Sequence, residues 1–131
     1  MSYSLTADIR PGYLHVKIAG ENTRENVLRY LLEVNERCVQ QKSHAVLIEE
    51  NLRGPSLNIA EVFAIVAERS RTVSLQLRWI AYVDVNPEHS KGRMLFAETV
   101  AVRRGINVRV FSTIADAEQW LRDQLKTTPI P

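Results

Sequence analysis

Ala45-Val46-Leu47-Ile48-Glu49-Glu50, followed by Asn51-Leu52-Arg53-Gly54-Pro55-Ser56, is the stretch that decides the architecture. Four apolar residues in a row, rich in β-branched types, end abruptly in two carboxylates. This is the pattern of a strand buried on both faces whose carboxyl end emerges into water. The residues from Asn51 to Ser56 read as a loop, and Asn58 opens a helix. In open α/β sheets, ligands and partners meet the loops at the carboxyl ends of the strands. A site is therefore expected in this strand–loop–helix, with the rest of the chain holding it in place.

Upstream, Tyr3, Leu5, Ala7 and Ile9 alternate with polar residues, as do Leu14, Val16 and Ile18. These are two half-buried strands joined at Pro11-Gly12. Pro-Gly favours a type II turn, which is not the preferred hairpin turn, so a connection looser than two residues is expected. A first helix follows Gly20, with Asn22 as cap and Val27, Leu31, Val34 and Cys38 on its inner stripe. His15 is expected on the less buried face of its strand. Downstream, Asn58 and Glu61 form a capping pair, with Leu57 and Val62 placed for a hydrophobic staple. Leu75, Leu77 and Trp79 open another strand, fully apolar through Ile80-Ala81-Tyr82-Val83. Asn86 and Pro87 are placed to cap and begin a third helix, which Gly105 ends. Val108, Val110 and Phe111 form a last strand. Thr113 with Asp116 starts a last helix, and 127–131 read as a frayed tail. The order is ββαβαβαβα. It predicts an α/β domain whose sheet is mostly parallel, with an antiparallel first edge strand.

The chain has 131 residues, of which 45% are hydrophobic, enough for one domain with a real core. A formal net charge of +2 provides no strong draw toward nucleic acid, and none is expected as a partner. Cys38 is the only cysteine, which excludes an intrachain disulfide. The first residues lack the pattern of a signal peptide, and no apolar run approaches a membrane span. A cytoplasmic protein, not integral to a membrane, is the expectation.

This element order resembles the STAS domain of anti-sigma-factor antagonists, the SpoIIAA-like fold. It is closer still to a broader set of bacterial SpoIIAA-like (STAS/SEC14) proteins. Val108-Arg109-Val110-Phe111 followed by Ala117-Glu118-Gln119-Trp120-Leu121 shares their pattern, and the resemblance spans residues 3 to 126. It implies a single STAS-like domain over 1–131 and a non-enzymatic regulatory module. Such a module would present loop 51–58 and the second helix to a protein partner. The alternative, from the SEC14-related side, is a carrier of a small anionic or acyl, lipid-like ligand. Phospho-regulated antagonists carry a serine at the start of the second helix, and Ser56 matches it by type and place. Pro55 stands where the family has an acid, Leu57 where it has a second hydroxyl residue, and Asn58 where it has glycine. Phosphorylation of Ser56 is therefore not expected.

Chemistry is sparse elsewhere. His15, His44 and His89 are scattered and form no ligand spacing, so neither metal nor cofactor is expected. Cys38 on an apolar stripe reads as a buried, inert thiol. Glu49 and Glu50 point to opposite faces of a strand and cannot act as a catalytic pair. One is expected solvated and the other paired, and no catalytic residue is assigned. One constellation remains. Arg53 follows the third strand, while His89, Lys91 and Arg93 sit in the first turns of the third helix. They are expected to hold an anion or an acidic stretch of a partner, helped by helix N–H groups, and Ser56 in the loop is a further candidate contact. Strands in sequential order put the helices mainly on one sheet face. Trp79–Val83 is apolar on both faces, which leads to the expectation of a homodimer.

Overall fold

The computed structural model describes residues 2–127. In chain order the elements are β1 (Tyr3–Arg10), β2 (Tyr13–Glu21), α1 (Arg24–Gln40), β3 (Ala45–Arg53), α2 (Ile59–Ser70), β4 (Trp79–Asp84), α3 (Lys91–Arg103), β5 (Val108–Phe111) and α4 (Ile114–Thr127). The strands form one sheet in the order β1-β2-β3-β4-β5. β1 is antiparallel to β2, and the other pairs are parallel. The ββαβαβαβα order and the antiparallel edge follow the sequence reading. Of the tail expected at 127–131, residues 128–131 lie outside the described residues, and Thr127 belongs to α4.

Strand parity divides the core in two. Leu14, Val16, Ile18, Val46, Ile48, Leu52 and Ile80 face α1 and α2, where Val27, Tyr30, Val34, Cys38 and Ile65 complete the larger cluster. Tyr13, Ala45, Leu47, Ala81 and Val83 face the other way, onto Ala117 and Leu121 of α4. Trp79 and Trp120 meet edge to face in this second cluster, with centroids 6.3 Å apart. α4 thus supplies from within the chain the cover that Trp79–Val83 requires, and the open face behind the homodimer expectation is filled.

Several boundaries differ from the sequence reading. β1 and β2 pair through Arg10 and Tyr13, so the hairpin loop is only Pro11 and Gly12. Gly12 takes φ +87°, as the third residue of a type II turn requires, and a Cβ there would sit 2.8 Å from Leu125 Cδ1. Thr23 replaces Asn22 as the cap of α1, accepting from the Asn26 N–H. Asn22 instead donates its backbone N–H to Arg53 O and its amide to Pro55 O, tying down the loop after β3. β3 itself runs on through Arg53. Leu75 and Leu77 imitate strand alternation, but Leu77 N–H closes a turn onto Ser74 O and Leu75 is 100% exposed. α3 starts at Lys91, capped by Ser90. Asn86 closes the preceding turn instead, its Oδ1 accepting from Glu88 N–H and its backbone carbonyl from His89 N–H.

Candidate functional site

Glu50 and Asp84 are neighbours on β3 and β4 and point to the same face of the sheet, beneath α1 and α2. Glu50 is only 4% exposed. Tyr30, from the inner stripe of α1, and Tyr82, from β4, both donate their hydroxyls to Glu50 Oε2, and the two hydroxyls are 2.5 Å apart. Burial drives the Glu50 carboxyl up to about 7. The tyrosine hydroxyls and the His89 charge pull it down, and Asp84 pushes it further up. Both tyrosines are held well above the ordinary phenol range, by burial first and then by Glu50.

Next to this trio lies a buried ion pair. His89 Nδ1 is 2.6 Å from Asp84 Oδ2, and its Nε2 is 2.7 Å from Gly54 O. Both partners are acceptors, so the ring must donate from both nitrogens, which only the imidazolium does. The Asn86 amide, 3.2 Å from Nε2, donates to Leu52 O instead. Burial opposes the charge on His89, but Asp84 and the Gly54 carbonyl outweigh it, and the net shift is upward. With both nitrogens engaged, His89 has no lone pair for a metal or for a substrate proton. Ligand atoms of Glu50, Asp84 and His89 lie within 4.8 Å of one another. A metal there would have to strip the N–H donors and the tyrosine hydroxyls, so the residues fit a hydrogen-bond network better than a metal centre.

The polar cluster closes one end of a cavity of about 180 Å³ between the sheet and α2 and α3. Its walls are mostly apolar: Val27 and Leu31 from α1, Val62, Ile65 and Val66 from α2, Met94, Ala97 and Ala101 from α3, and Ile48, Ile80, Val108 and Val110 from the sheet. Arg69, Ser70 and Glu98 also line it, each hydrogen-bonded to a backbone group. Tyr82, Val108 and Val110 face inward yet are only half-buried, so the cavity communicates with solvent.

The five residues singled out in the sequence separate. Ser56, His89 and Arg93 come together on the cavity wall. Ser56 Oγ accepts from Ser90 N–H at 2.8 Å, fastening the loop after β3 to the start of α3. The Arg93 backbone N–H donates to the Ser90 cap, but its guanidinium has no hydrogen bond or ion pair among the described residues. Lys91 is exposed at the first position of α3. Arg53 is the correction. Because β3 continues past Glu50, parity turns Arg53 to the α4 face, where it pairs with Glu21 at 3.0 Å. Arg53 and Arg93 therefore lie on opposite faces of the sheet. His89 precedes α3, so it does not share a helix face with Arg93. His15 also departs from expectation. It is buried and donates to Glu49 at 2.8 Å, so both carboxylates after the apolar run are partnered. Cys38 is buried, with its thiol pushed up to about 12 by burial alone. Sequence reasoning missed Tyr30 and Tyr82. Their only signal was a polar tip inside an otherwise apolar pattern.

No family model matches the chain, and no curated protein matches it. Among solved structures, an anti-sigma factor antagonist from Mycobacterium paratuberculosis superposes with a TM-score of 0.60 at 16% identity, covering 93% of this chain and 96% of that one. The chain has the STAS-like, SpoIIAA-type fold. Among the described residues, no helix is long and apolar enough to cross a membrane.

Proposed function

We propose that this chain is a non-enzymatic, STAS-fold regulatory module that presents loop 51–58 and α2 to a protein partner. One observation carries the reading. Ile59 and Phe63, one helical turn apart on α2, remain 48% and 46% exposed beside that loop. Two large apolar side chains on the outer face of a helix, next to a rigid loop, form the kind of surface that partners bury. The loop is held by Asn22, Ser56 and His89, so it is preorganised rather than ordered on binding. The superposed structure is described as an anti-sigma factor antagonist, which is in keeping with regulation by contact.

A photo-crosslinking side chain placed at Phe63, in the native cell, tests this reading. It should capture one defined protein, whereas the same side chain at Val39 on the outer face of α1 should not. Ile59→Asp with Phe63→Asp should abolish capture while circular dichroism stays unchanged. Equal capture from positions 63 and 39 would discard the proposal.

A further inference from the structure

We infer that the cavity beneath α2 and α3 binds a small monocarboxylic acid, its apolar tail along the sheet and its head between Glu50 and Arg93. The inference goes beyond the partner surface and does not rest on it, because the cavity lies on the inner side of α2. Three observations point to such a ligand.

The first is shape. An apolar cavity of about 180 Å³ is larger than the ~150 Å³ engineered cavity that admits benzene, so it takes a ring or a short chain. The second is polarity. Glu50, Ser56, Asp84, His89, Ser90 and Arg93 line the wall where β3 and β4 end and α3 begins. Arg69, Ser70 and Glu98 line it elsewhere with polar atoms already engaged by backbone groups, so the polar groups left for an occupant lie at one end. The third is the state of those polar groups. Both tyrosines bind Glu50 Oε2, and Oε1 of this nearly buried carboxyl has no hydrogen bond among the described residues. The Arg93 guanidinium is also without a partner there, while His89 and Asp84 neutralise each other. Arg69 and Glu98 also line the wall, but Arg69 donates to Leu28 O and Glu98 accepts from Val110 N–H, so Arg93 is the charged side chain there with no hydrogen-bond partner among the described residues. A carboxylic head answers both needs at once: one oxygen accepts from the guanidinium, and the other shares a single proton with Glu50 Oε1. A cationic head would meet Arg93 unfavourably.

The test is calorimetric titration of the intact chain with octanoate, octan-1-ol and octylamine at equal chain length. Octanoate should bind most tightly and octylamine most weakly. Arg93→Ala should weaken octanoate by about tenfold and octan-1-ol much less, as loss of a charged hydrogen bond requires. Glu50→Gln should retain octanoate, since its amide N–H can donate where the shared proton lay. Ala97→Leu, which fills the cavity without touching the head, should abolish binding, and circular dichroism verifies that each variant is folded. No binding of octanoate at about 1 mM, the weak end of specific affinity, would overturn the inference. So would octylamine binding as tightly as octanoate, or Ala97→Leu leaving octanoate unaffected. Retention on phosphatidylglycerol vesicles with no response to octanoate would place the acyl chain in a lipid and overturn the free-acid assignment.

Discussion

Glu50 shows how one residue ties stability to pH. Its folded value, about 7, lies above the ordinary 4.5 of an exposed glutamate. The folded state therefore holds a proton that the unfolded state has already lost between those two values. The stability associated with that proton is fully present below about 4.5 and disappears as pH rises through about 7. His89, also raised, acts in the same direction, with its share lost as pH climbs through its folded value. The melting temperature should thus fall between pH 5 and pH 8, and Glu50→Gln should flatten most of that slope. A slope unchanged in Glu50→Gln would show that other groups set it. Ser56 allows a simpler measurement. Its hydroxyl accepts one backbone N–H, so Ser56→Ala should cost about 1 kcal/mol in denaturant unfolding. At this scale the sequence was only partly legible. Strand parity already placed Glu49 and Glu50 on opposite faces. The meeting of Tyr30 and Tyr82 on one carboxyl oxygen depends on how α1 crosses β3 and β4, which no local spacing encodes.

Elements were legible where a terminus carried its own chemistry. The capping box of α2 forms as its residues dictate: Asn58 Oδ1 accepts from Glu61 N–H, and Glu61 Oε1 accepts from Asn58 N–H. Asn58→Ala should cost about 1 kcal/mol in the same denaturant experiment, and a change within error would mean that packing alone fixes the start of α2. Boundaries failed where two good caps stood close together. Asn22 and Thr23 compete at α1, and Asn86 and Ser90 at α3. Asn22 is taken by a tertiary hydrogen bond to Pro55 O, and Asn86, tied to Leu52 O through its amide, spends its Oδ1 on Glu88 N–H in the turn before α3, so Thr23 and Ser90 cap. Arg53 failed for a related reason. The polar run after Ile48 looks like a loop, but parallel pairing with Ala19, Gly20 and Glu21 keeps the strand going and turns Arg53 away from α3.

Across the whole molecule, packing is uneven. The sheet is closed by α4 on one face and by α1 on half of the other, and α1 buries Asn26, Val27, Tyr30, Val34 and Cys38. α2 fully buries only Ile65, and α3 only Ala101, because Val62, Val66, Met94 and Ala97 line the cavity while Ile59, Phe63, Leu95 and Val102 are exposed. A helix over a void loses dispersion contacts on its inner side, and its opening exposes little that is not already wet. Local unfolding should therefore start in α2 and α3 and leave α1, α4 and the central strands intact. Hydrogen exchange followed by mass spectrometry should show peptides from 59–70 and 91–103 exchanging well before peptides from 24–40. Filling the void with Ala97→Leu should slow exchange in both helices, since added contacts stabilise the closed state without changing the unfolded chain. Equal protection of α1 and α2 in the wild-type chain would mean that the larger core is one cooperative unit, with the cavity no weaker than its surroundings.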